Sequence, residues 1–181
     1  MSQIPEENLS PRWAEDTRPE IPVAGDERST LTASLEWHRQ TLEMKCSGVD
    51  PARLSERGIP PSTMSLHGIL RHLAAVERWW FQIRYREDDV ELLYYSDDDP
   101  GQDFDSLGGD VAEVFDVWHA ECGRSREIVA TTASLEVTGG LSRSGEPISL
   151  RWVLVQMIAE YARHNGHADL LRERIDGATG F

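Results

Sequence analysis

Four separate stretches of this chain place apolar side chains three and four residues apart, and none alternates them long enough for a sustained strand, so helix must pack on helix. From Asp26 to about Val49 the repeat is Leu31, Leu35, His38, Leu42 and Cys46, with Gly48 as a stop. From about Ser65 to Arg86 it is Leu66, Ile69, Leu73, Val76, Trp80 and Ile83, with Ser62 or Ser65 as the cap and His72 at the stripe's edge. A third helix is predicted over about Asp110 to Thr131, turning Val111, Val114, Phe115, Trp118, Cys122, Ser125 and Val129 inward. The fourth runs from Ser149 to Ile175 and closes at Gly177.

The expected fold class is therefore all-α, a four-helix bundle. Residues 87–109, rich in aspartate, form a long loop between helices two and three that permits a crossover connection. Their spacing breaks the pattern of an EF-hand calcium loop, so they read as a solvated acidic segment. A turn or short hairpin is expected at 138–147. Residues 1–25, with four prolines, read as an extended N-terminal arm in which Trp13 is an anchor, and 26–181 as one helical domain.

With 32 acidic against 18 basic residues and a net charge of −14, much of the surface would repel nucleic acid or an anionic membrane. No apolar run is long enough to span a bilayer, and the first residues lack a signal peptide's basic and apolar regions, which predicts a cytoplasmic protein. Cys46 and Cys122 lie far apart in predicted helices, outside any CxxC, and read as packing residues.

The chemistry concentrates on the fourth helix. Leu150, Val153, Leu154, Met157, Tyr161, His164, Ala168, Leu171 and Ile175 fall within about 60° of Met157 on a helical wheel, with Glu160 about 60° and His167 about 80° to one side. Side chains four apart are neighbours, so Glu160 and His164 can reach one cation, or Glu160 can simply hydrogen-bond His164. A bundle interior supplies further ligands from a facing helix, and His72 is the candidate placed there. A set of two imidazoles and one carboxylate would leave coordination positions open. Trp79, Trp80 and Tyr161 could wall a substrate pocket beside it, or be ordinary core. On the same wheels His67 and His119 face the surface, and His38 falls in the core stripe of helix one.

Two segments, ILRHLAAVERWW at 69–80 and EYARHNGHADLLRERIDG at 160–177, resemble the signature helices of the DinB superfamily. The likeness continues through GDERSTLTASLEWHRQTLEMKCSGV, YYSDDDPGQDFD and SLRWVLVQMIAEYARHNGHADLL, and is nearest to the superfamily's actinobacterial branch. The resemblance implies a DinB-type bundle and a metal held by His72, Glu160 and His164, a pairing of glutamate and histidine similar to that of mycothiol-dependent maleylpyruvate isomerase. His167 stands where many relatives carry glutamine, as an alternative ligand or a proton carrier. The resemblance further implies zinc, nickel or iron, and a low-molecular-weight thiol such as mycothiol or bacillithiol as cosubstrate, transferred to a small electrophile or used in an isomerisation. A non-catalytic metal-binding stress or scaffold protein, as a homodimer, is the competing expectation.

Overall fold

The computed structural model describes Asp16 and residues 18–180. The N-terminal arm lies outside them for the most part, and so does Trp13. Arg18, at the arm's described end, lays its guanidinium 4.0 Å from the Trp37 ring centroid and donates to the Thr41 hydroxyl at 2.5 Å.

Helix α1 spans Glu27–Cys46, and the Asp26 carboxylate starts it by accepting the Ser29 N–H. It stops three residues before the expected Val49, at Ser47 in extended conformation, with Gly48 at φ 73°. Helix α2 covers Leu66–Glu77, capped by Ser65. It runs directly into a π-helical segment, Arg78–Arg86, ending at Glu87 in the left-handed region. The wider π turn adds one residue per turn and rotates the buried face. As a result Phe81 and Tyr85 enter the core, whereas the expected Trp80 and Ile83 are only partly buried.

The crossover contains one short turn of helix, α3 (Gln102–Asp105). Helix α4 (Val111–Thr131) begins at Asp110, whose carboxylate accepts the Ala112 N–H. The antiparallel hairpin β1 (Thr138–Leu141) and β2 (Pro147–Ser149) follows. Its glycines are sterically required, because a Cβ on Gly139 or Gly140 would overlap the backbone carbonyl oxygens of Tyr85 and Arg84. Helix α5 (Leu150–Asp176) is capped by Ser149 and closed by Gly177 at φ 77°. All nine residues read as its inner face are buried.

Cross-helix contacts fix the directions. α1 lies parallel to α5, with Glu27 against Arg151 at one end, His38 against Asn165, and Lys45 against Asp169 further along. α2 lies antiparallel to α5, bringing His72 to His164 and Glu77 to Tyr161. α4 is antiparallel to α1, since Arg126 meets Glu36 and Arg28 meets Val129. The order is up, down, down, up, and the parallel pair α2 and α4 is what the long crossover between them serves.

Inside the bundle a polar chain replaces part of the apolar core. Arg39 donates to both Glu77 oxygens at 2.8 and 2.7 Å, the Tyr161 hydroxyl donates to Glu77 Oε1 at 2.8 Å, and Trp118 Nε1 donates to that hydroxyl at 2.8 Å. Glu77 is 0% exposed, so these side chains and the Cys122 thiol, which donates to Oε1 at 3.6 Å, take the place of water around its carboxylate. Both cysteines are buried and unpaired. Burial pushes the Cys46 thiol up to about 12 and raises Cys122 as well, which suits packing residues.

Candidate metal centre

The Glu160 and His164 side chains leave α5 one turn apart on the strip facing α2, and His72 leaves α2 seven residues after its Ser65 cap. One ligand atom from each of His72, Glu160 and His164 lies within 4.8 Å of the others. The two imidazole rings stand 4.6 Å apart, centroid to centroid.

Each group is held from behind. Glu160 accepts from Gln156 Nε2 at 2.9 Å and from Arg163 Nη1 at 3.2 Å. His72 Nδ1 lies 2.7 Å from Asp103 Oδ2, and because a carboxylate accepts, the proton sits on Nδ1 and the lone pair on Nε2. His164 Nδ1 lies 3.4 Å from His167 Nδ1, one ring donating to the other. Phe104 packs over both imidazoles, its ring centroid 5.1 Å from that of His72 and 6.2 Å from that of His164.

Burial, followed by the facing His72 and His167, pushes the His164 imidazole down to about 3. It is therefore neutral at physiological pH. Its Nε2 stands 3.9 Å from Glu160 Oε2, beyond hydrogen-bonding distance, so the pair is neither a neutral hydrogen bond nor a charged ion pair. Two imidazoles, one of them held neutral, and a carboxylate converging without bonding one another are what a shared divalent ion would satisfy. The two-nitrogen, one-oxygen donor set suits zinc, nickel or ferrous iron rather than magnesium.

The other residues singled out in the sequence are placed elsewhere. The Tyr161 hydroxyl turns into the core toward Glu77 and Trp118. Trp79 is exposed beneath the Arg84 guanidinium, and Trp80 packs edge-on against Trp152 at 5.0 Å. The aromatic ring that adjoins the imidazoles is Phe104. His38 takes Asn165 as its partner. His119 is exposed and faces Glu43. His67 corrects the wheel: it is buried, with Nδ1 2.8 Å from the Ser55 hydroxyl, because the turn before α2 covers a face that an isolated helix would show to solvent. The solvated acidic loop needs a correction too. Asp89, Asp97, Asp98 and Asp105 are exposed, but Asp103 is turned inward onto His72. A cleft of about 770 Å³ between α1 and α4, walled by Leu35, Arg39, Arg126, Val129 and Leu154, contains none of the three converging residues.

Four long helices running up, down, down and up, with two histidines and a glutamate gathered between α2 and α5, define the class as a DinB-type bundle. Within that class the chain belongs to the mycothiol-S-transferase family, whose model it matches over residues 30–177. That span includes every residue of the candidate centre. No curated protein matches the chain, and no helix of the described residues is long and apolar enough to cross a membrane.

Proposed function

We propose that the chain is a metal-dependent S-transferase that moves the sulfur of mycothiol, or a closely similar low-molecular-weight thiol, onto a small electrophile. The observation that carries this reading is the convergence of His72, Glu160 and His164 within 4.8 Å in a chain of the mycothiol-S-transferase family. The family description favours transfer over isomerisation.

His72 and His164 would hold the ion through neutral nitrogens and Glu160 through its carboxylate, which offsets one of the two positive charges. A divalent cation held there would lower the pKa of an incoming thiol and fix its sulfur for attack. The chain's own groups prepare that attack. Burial keeps His164 unprotonated, so a proton does not compete with the ion at its Nε2 near neutral pH. Gln156 and Arg163 hold the Glu160 carboxylate in place. Phe104 shields the imidazoles from water on one side. His167, half-buried against His164, would carry away the proton that the thiol loses. The new S–C bond then forms as the electrophile's leaving group departs with its electron pair, or as an activated double bond takes the electrons and a proton.

The test is metal analysis of the purified protein followed by thiol transfer from mycothiol to a panel of haloalkane and enone electrophiles. Wild type should turn over only with metal and thiol both present, and His72→Ala should lose at least about 100-fold in kcat/KM, since losing even a group behind a metal ligand costs about 10- to 100-fold. Stoichiometric metal with no thiol-dependent turnover across the panel would point instead to a non-catalytic metal-binding protein.

A further inference from the structure

The crossover between α2 and α4 carries an acidic run, and one of its carboxylates is treated differently from the rest. Asp103 has a side chain only 16% exposed, and its Oδ2 accepts from His72 Nδ1 at 2.7 Å. Its other oxygen, Oδ1, accepts the Phe104 backbone N–H at 3.0 Å, which fixes the plane of the carboxylate. The short α3 that carries it is secured on several sides. The buried Arg71 donates to the carbonyls of Gln102 at 2.9 Å and Gly108 at 3.2 Å. Arg57 donates to the carbonyls of Phe104 and Asp105. The Phe104 ring needs the space left by Gly68, where a Cβ would come within 3.0 Å of Phe104 Cδ1.

We infer that Asp103 is a positioning residue for His72: it locks the imidazole into the Nδ1–H tautomer and aims Nε2 at the space shared with Glu160 and His164. This rests on the reading of those three residues as ion ligands. Without such a partner a neutral imidazole in water prefers its proton on Nε2, the nitrogen that must carry the lone pair here. A carboxylate behind a ligand imidazole both sets the tautomer and makes the ring a better donor. Charge favours a carboxylate over a carbonyl at this point. Glu160 and Asp103 together would offset the two charges of a divalent ion. The crossover is thus a part of the candidate centre, contributed by a segment distant in sequence from both ligand helices.

The experiment has two readouts on the full chain. Long-range proton–nitrogen NMR of the metal-free protein reads the His72 tautomer directly. Zinc titration against a chromophoric chelator reads affinity. In wild type His72 should be the Nδ1–H form, and in Asp103→Ala the Nε2–H form should dominate. Zinc should bind about 10- to 100-fold more weakly to Asp103→Ala, and less weakly than that to Asp103→Asn, whose amide oxygen still accepts from Nδ1. Phe104→Ala loosens the same short helix while leaving the hydrogen bond, so it should keep the wild-type tautomer. An unchanged tautomer in Asp103→Ala, or a tautomer change of equal size in Phe104→Ala, overturns the proposal. Failure of the wild type to bind zinc would overturn the ligand assignment instead, and the tautomer measurement would still decide the role of Asp103.

Discussion

Glu160 and His167 stand on the same side of α5, and the structure separates their environments. Glu160 has two donors holding it beside the imidazoles, whereas His167 lies against the back of His164. Glu160→Gln should therefore lower bound metal more than His167→Gln does, read by elemental analysis after dialysis; the reverse order would make His167 the third ligand. The four-residue spacing of Glu160 and His164 was legible because it lies within one helix, where geometry follows from sequence alone. Glu77 and Asp103 were not, since each owes its role to partners 38 and 31 residues away. Glu77 in particular, between Val76 and Arg78, gives no sign of Arg39. Replacing it with glutamine leaves the buried Arg39 guanidinium with Glu36 as its carboxylate partner. A loss of about 3–5 kcal/mol in urea unfolding is expected, and a loss below about 1 kcal/mol would show that the buried pair is not what holds α1 to α2.

Elements read well where the 3.6-residue period persists and poorly where it changes. α5 matched its wheel throughout, and the caps Asp26, Ser65, Asp110 and Ser149 mark starts that local chemistry dictates. The π segment at Arg78–Arg86 was invisible, because one added residue per turn leaves composition untouched while moving Phe81 and Tyr85 inward in place of Trp80 and Ile83. The hairpin that covers this segment explains the demand for glycine at 139. Gly139→Ala would push β1 off the Tyr85 carbonyl, and a destabilisation of about 1–3 kcal/mol is expected from the forced backbone shift. A wild-type unfolding midpoint for that variant would mean that the hairpin moves freely relative to the π segment.

At the scale of the whole molecule, the fold class followed from four apolar stripes; the length of one connection permitted a crossover, and the up, down, down, up order rests on the cross-helix contacts. Metal and protons should both act on global stability. An ion that binds only the folded chain adds about 2.7 kcal/mol at a free concentration 100 times its Kd, so chelation should lower the Tm of wild type but not of His72→Ala. Protons act in the opposite direction at His164. Its folded value of about 3 lies below the 6.5 of an unperturbed histidine, so the unfolded chain takes up the proton first. The stability this group contributes is complete above pH 6.5 and is lost progressively as pH falls toward 3. His38 and His67, also lowered by burial, act in the same direction. The metal-free wild type should therefore lose more stability between pH 7.5 and 5 than His164→Asn does, measured by urea midpoints. Equal slopes would mean that His164 is solvated in the folded protein.

In the proposed function, three side chains from two helices hold one ion. An anomalous difference map of crystals grown with zinc tests it most directly. A single strong peak bonded to His72 Nε2, His164 Nε2 and a Glu160 oxygen is expected, with Asp103 behind His72. A peak elsewhere on the chain, or none at these residues under saturating zinc, would contradict it.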